Sequence, residues 1–127
     1  INGIPFFSKD ADEVVALVVA YLSALHERLP DAEIYYVAIT EAPIRARVRR
    51  QIQAANHKLR AIAESSRRFV FVDTPAALLN HDGSINNSLF RADRLHLNDE
   101  GYRRFASVIR QSLLAGEGRR RTRGNAE

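Results

Sequence analysis

The run Ile34-Tyr35-Tyr36-Val37-Ala38-Ile39 is apolar at nearly every position. A strand with one face in water alternates apolar and polar residues, whereas a parallel strand covered on both faces does not. We therefore read Glu33 to Thr40 as a buried strand of a parallel sheet. A second run of the same kind, Phe69-Val70-Phe71-Val72, lies within Arg68 to Thr74. Between the two, Ile44, Val48, Ile52, Ala55, Leu59 and Ile62 recur in steps of three and four, which predicts a helix over Ile44 to Ser65. Strand, helix, strand is a βαβ unit, and such crossovers are right-handed almost without exception. The fold class is α/β.

Working outward, Asp10 opens a helix, with Glu13 placed for a capping box. Val14, Leu17, Val18, Tyr21, Leu22, Leu25 and Leu29 follow at helical spacing, Val15 and Val19 widen that face, and Pro30 ends it. Residues 1–9 read as a loop broken by Gly3 and Pro5. Downstream, Ala76 to Asn80 is a short helical turn, Asn80-His81-Asp82-Gly83 is turn chemistry, and Ser84 to Leu95 is a loop. A last helix is expected from Asp99 to Leu114, with Tyr102, Phe105, Ala106, Ile109 and Leu113 inward and Gly116 as its stop. Residues 116–127, with Arg119, Arg120, Arg121 and Arg123, read as a basic, disordered tail. Two strands and three helices leave sheet edges open, so further strands are expected beside them.

The chemistry concentrates in Asp93-Arg94-Leu95-His96-Leu97-Asn98-Asp99-Glu100-Gly101-Tyr102. A carboxylate stands three residues before an imidazole, just ahead of a helix start that Asn98 or Asp99 can cap. The helix dipole disfavours the imidazolium there. Asp93, bonded to one ring nitrogen, would fix the tautomer of His96 and stabilise the ring once it takes a proton. The pair is the base half of a nucleophilic triad.

Asp93-x-x-His96 followed by Leu97-Asn98-x-x-Gly101-Tyr102 resembles the last block of the SGNH (GDSL-type) esterases and lipases. Ile39-Thr40-Glu41-Ala42-Pro43-Ile44-Arg45 is similar to that family's strand-end segment, which usually reads I-x-P-S-P-x-R. Phe71-Val72-Asp73 and Leu89-Phe90-Arg91-x-Asp93 resemble the preceding strand and the lead-in. The resemblance spans most of residues 10–115. It implies the C-terminal part of a three-layer α/β/α sandwich with a parallel sheet, the flavodoxin-like SGNH hydrolase fold. Residues 1–115 would form that portion of one domain. The Gly-Asp-Ser block is absent, since Asp82-Gly83-Ser84 has the wrong order and sits in a late turn. The Gly-x-Asn-Asp block is absent too, and Ile1-Asn2-Gly3 would follow just after it. Arg94 stands where the family usually has Gly.

The chain has no methionine and opens on Ile1, which leads us to expect a processed chain or a fragment. Having no cysteine excludes disulfides, thiol catalysis and zinc–thiolate sites, and leaves the compartment open. The stretch Val14 to Leu25 is too short to span a bilayer. No Gly-rich phosphate loop is present. His26 and His57 read as surface histidines, and His81 as an exposed turn residue. Ser84 and Ser88 do not follow a strand in a nucleophile-presenting turn. A metal site built from His81, Asp82, Asp93 and His96 is conceivable but poorly spaced. Asp73, at a strand end, either supports the site or caps its turn. Arg45, Arg47, Arg49 and Arg50 crowd a helix start as a solvated basic face, with Arg45 holding the strand-end loop against an acidic neighbour.

The leading expectation is a serine hydrolase of carboxylic esters in which Asp93 orients His96, the general base. The nucleophilic Ser and the oxyanion hole would come from a missing N-terminal segment of the same domain, leaving this chain alone inactive. The substrate would be a small-molecule ester, with no metal or organic cofactor, no membrane span and no nucleic acid. The rival expectation is a degenerate, non-catalytic α/β module. It would bind an acidic partner or nucleic acid through the Arg-rich face and tail. A flavodoxin-like regulatory domain ranks third, because it wants an acidic cluster at the strand ends and only Asp73 is so placed.

Overall fold

The computed structural model describes residues 10–126. The loop read over residues 1–9 lies outside the described residues. Helix α1 spans Ala11–Arg28. Its start is a capping box: the Glu13 N–H donates to Asp10 Oδ1 at 2.9 Å, and the Asp10 N–H donates to Glu13 Oε2 at 3.2 Å. Strand β1 covers Tyr35–Val37, helix α2 Arg49–Ser66 and strand β2 Val70–Val72. The strands pair in parallel, Tyr35 opposite Val70, Tyr36 opposite Phe71 and Val37 opposite Val72. Both are shorter than their apolar runs. Among the described residues they form a two-stranded sheet, each open on its other edge.

Successive strand residues point to opposite faces, and that alternation divides the chain into layers. Tyr36 and Phe71 face α1 and α2. There they pack against a core of Val14, Val18, Leu22, Ile52, Leu59 and Phe69. Ile52 and Leu59 are wholly enclosed, each contributing about 1.5–3 kcal/mol by burial. Tyr35 points the other way, against helix α3, Asp99–Gly124. The result is helices, parallel sheet, helix: part of a three-layer α/β/α arrangement.

Three local expectations change. The helix predicted from Ile44 begins instead as a 3₁₀ turn, Pro43–Val48, with Arg45 non-helical at φ −98° and ψ 20°. Pro43 starts the turn without a side-chain cap, and the Ile44 N–H leaves it to donate to the Arg94 carbonyl at 3.1 Å. On α1, Leu17, Tyr21 and Leu29, expected inward, are exposed; the packed stripe is Val14, Val15, Val18 and Leu22. The valine side faces α2, and its short, stiff side chains allow close packing.

The third change concerns α3, which does not stop at Gly116 and whose residues 116–124 are helical. Gly116 is buried, and a Cβ there would lie 1.8 Å from Tyr35 Oη. Glycine at this point permits close approach of helix to strand. Beyond it, Arg119 and Arg120 both pair with Glu33, and Arg121 with Glu117 at 2.9 Å. The inward seam of α3 runs through Gly101, Phe105, Val108, Ile109, Ser112 and Gly116. Tyr102 and Leu113 sit one position off it and are exposed. No helix among the described residues is long and apolar enough to cross a membrane.

Candidate active site

The loop from Leu79 to Asn98 is knitted by its own backbone. Leu79 bridges Ile85, and Phe90 bridges Leu97, both antiparallel. Leu89, Phe90 and Leu97 are buried with Ala42 and Leu78 in a second apolar cluster. Between Phe90 and Leu97 the chain makes a tight excursion. The Arg94 N–H donates to the Arg91 carbonyl at 2.9 Å, and the Arg91 N–H to the His96 carbonyl at 2.8 Å. Asp93 and His96 project from this excursion. Apolar residues anchor it on both sides, and its tip stays half exposed.

Asp93 Oδ2 lies 2.6 Å from His96 Nδ1. Asp93 Oδ1 accepts from the Leu95 N–H at 2.9 Å and from the His96 N–H at 3.0 Å. The His96 hydrogen bond, then the two backbone N–H groups, hold the Asp93 carboxyl well below the usual carboxylate range. Asp93 is therefore ionised at neutral pH and can only accept, so the proton in the pair sits on Nδ1. A neutral His96 then carries its lone pair on Nε2. Among the described residues nothing hydrogen-bonds Nε2, and the ring is 51% exposed. This arrangement can accept a proton at Nε2 while a fixed carboxylate stabilises the imidazolium.

Arg94, between the two, adopts φ 60°. That is the left-handed region, and it accounts for the Gly that the resembling family usually carries at this position. Of the two candidate caps, the structure uses Asn98. Its Oδ1 accepts from the Gly101 N–H at 3.0 Å, its Nδ2 donates to the Ser88 carbonyl at 2.7 Å, and its backbone N–H donates to Leu89 O at 2.9 Å. One asparagine thus joins the helix start to the loop that carries Asp93. A Cβ at Gly101 would lie 2.4 Å from the Leu89 carbonyl, so this position also requires glycine.

The platform beneath uses Glu41, Arg49, which reads in sequence as part of a solvated face, and Asn56, which sequence reasoning passed over. Glu41, only 5% exposed, accepts from Arg49 Nε at 2.8 Å. Arg49 Nη2 also donates to the Gly83 carbonyl at 2.5 Å. The arginine that holds the strand-end loop is thus Arg49 rather than Arg45. From α2, Asn56 Nδ2 donates to the Ile39 carbonyl at 2.8 Å, and Asn56 Oδ1 accepts from the Ile39 N–H at 2.9 Å. The available signal was an amide among the apolar positions Ile52, Ala55 and Leu59.

The remaining candidates lie elsewhere. Asp73 pairs with Arg60 on α2 and neither supports the His96 loop nor caps its turn. The Ser84 hydroxyl bonds Asp82 Oδ1 at 2.5 Å and the Ser88 hydroxyl bonds Asn86 Oδ1 at 2.5 Å, so both belong to local turns. His57 and His81 are exposed. His26, read as a surface residue, is half-buried, with Nδ1 enclosed. No cluster of three or more His, Asp or Glu residues suited to a metal ion occurs among the described residues, so His81, Asp82, Asp93 and His96 do not converge.

No curated protein matches the chain in sequence. Solved structures share its fold. A carbohydrate esterase family 3 protein from Talaromyces cellulolyticus matches with a TM-score of 0.70 at 18% identity, over 90% of this chain and 53% of that one. A GDSL-like lipase from Bacteroides thetaiotaomicron VPI-5482 matches with a TM-score of 0.66 at 17% identity, over 86% of this chain and 55% of that one. The chain spans about half the length of these structures. At such identities the likeness establishes architecture alone. The family follows from sequence: the profile of the GDSL-like Lipase/Acylhydrolase family matches residues 6–104, and the chain belongs to that family.

Proposed function

We propose that this chain supplies the acid–base half of a serine ester hydrolase, with His96 as general base and Asp93 as its orienting carboxylate. The observation that carries this reading is the Asp93–His96 pair, with Oδ2 at 2.6 Å from Nδ1 and Oδ1 fixed by two backbone N–H groups. The nucleophilic serine and the oxyanion hole come from a segment outside these 127 residues. Two facts support that division. No described serine bonds His96, and the chain spans about half the length of the structures that share its fold.

In the reaction, the serine hydroxyl attacks the acyl carbon while His96 Nε2 takes the hydroxyl proton. The resulting imidazolium is held by ionised Asp93. The tetrahedral oxyanion collapses, the ester C–O bond breaks, and Nε2 passes its proton to the leaving alcohol. Water then repeats the sequence against the acyl-enzyme, with Nε2 first taking its proton and then returning one to the serine.

The rival reading, an acidic partner or nucleic acid held by the Arg-rich face and tail, has less support. Of those arginines, Arg49 is already paired with Glu41, and Arg119 and Arg120 with Glu33. The test is His96→Ala in the natural protein that carries this chain, assayed on short-chain aryl esters. Loss of turnover with the fold retained supports the reading, and unchanged turnover rejects it.

A further inference from the structure

The base of the Asp93–His96 loop is packed on the strand-end loop through Leu89, Phe90, Leu97 and Ala42. Its half-exposed tip is tied there by a backbone hydrogen bond, Ile44 N–H to the carbonyl of Arg94, the residue that follows Asp93. What fixes Ile44 therefore helps to fix the catalytic loop. The strand-end loop is clamped at both sides. At its start, the Asn56 amide occupies both backbone groups of Ile39, as a neighbouring strand would. Further along, buried Glu41 is held by Arg49, whose fork also reaches the Gly83 carbonyl in the turn before Ser84. A buried carboxylate would be costly without such a partner. Arg49 suits the task because its rigid planar fork meets two acceptors at once.

We propose that Asn56 and the Glu41–Arg49 pair are positioning residues for His96. They act through Ile39, Ile44 and the Arg94 carbonyl rather than by touching substrate. The inference rests on the reading of His96 as the base.

The experiment uses the natural protein carrying this chain, in the variants Asn56→Leu, Arg49→Lys and His96→Ala. Two readouts are taken: steady-state ester hydrolysis, and hydrogen exchange at the Leu95 and His96 amides, which bind Asp93. For Asn56→Leu and Arg49→Lys we expect kcat to fall about tenfold with KM within about twofold. Exchange at those two amides should rise about tenfold while α1 stays unchanged. Should Asn56→Leu not fold, Arg49→Lys carries both readouts, since Arg49 is 29% exposed and its charge is kept. Folded variants with wild-type kcat and wild-type exchange, beside an inactive His96→Ala, overturn this inference alone. An active His96→Ala overturns the base assignment and the inference built on it.

Discussion

Asp93 reaches His96 twice: Oδ2 meets the ring Nδ1 at 2.6 Å, and Oδ1 accepts the His96 backbone N–H at 3.0 Å. A carboxylate held at both oxygens cannot rotate away from the ring, so the imidazole is aimed by a fixed partner. This double contact lets a half-exposed pair on a loop keep one geometry.

Asp93→Asn keeps the shape but replaces the acceptor facing Nδ1. An amide can present its N–H₂ there and force the wrong tautomer, so kcat should fall about 10²–10⁴-fold with KM little changed. His96→Ala removes the base and should cost more, about 10⁴–10⁶-fold. Steady-state kinetics of the natural protein check both values, and Asp93→Asn at wild-type rate would remove the orienting role.

The pair also links stability to acid. The Asp93 carboxyl is depressed below its ordinary value of 3.8, chiefly by the His96 hydrogen bond. Its contribution is therefore full above that value and is lost as pH falls below it toward the folded-state value. Urea unfolding from pH 5 to pH 2 should show stability falling in wild type and a shallower fall in Asp93→Asn. Parallel slopes would contradict the assignment.

Arg94 sits at φ 60°, where a side chain costs about 1 kcal/mol. Arg94→Gly should leave stability unchanged or raise it by up to about 1 kcal/mol, while Arg94→Val should lower it by more than about 1 kcal/mol. Denaturant midpoints at constant slope measure the difference.

Gly101 has no room for a methyl group, because a Cβ there meets the Leu89 carbonyl at 2.4 Å and the Leu97 side chain at 3.0 Å. Gly101→Ala should destabilise by about 1–3 kcal/mol despite the better helix propensity of alanine. Since Leu89 and Leu97 flank the excursion that carries Asp93 and His96, turnover should fall in the same variant if that pair is the base. Equal stability with equal turnover would show that the loop yields.

Much of this was legible in the chain itself. Apolar runs at 34–39 and 69–72 located two parallel strands, and steps of three and four located the three helices, though not the first turn of α2, the buried side of α1 or the end of α3, because burial imposes those periods. Asp93 and His96 were legible because their spacing and the following cap are local. The platform was not. Asn56 meets Ile39 across 17 residues and Arg49 meets Gly83 across 34, contacts that exist only after α2 lies on the sheet. Gly116 misled for a related reason. Glycine ends helices and also admits close packing, and only the position of Tyr35 decides between the two.

His96 is proposed to serve a serine outside this chain. The most direct measurement is fluorophosphonate labelling of the natural protein that carries it, read by intact mass and peptide mapping, with His96→Ala alongside. We predict one adduct, on a serine outside these 127 residues, formed far more slowly in His96→Ala. No adduct on the folded protein, an adduct on Ser84 or Ser88, or labelling at equal rate without His96 would contradict it.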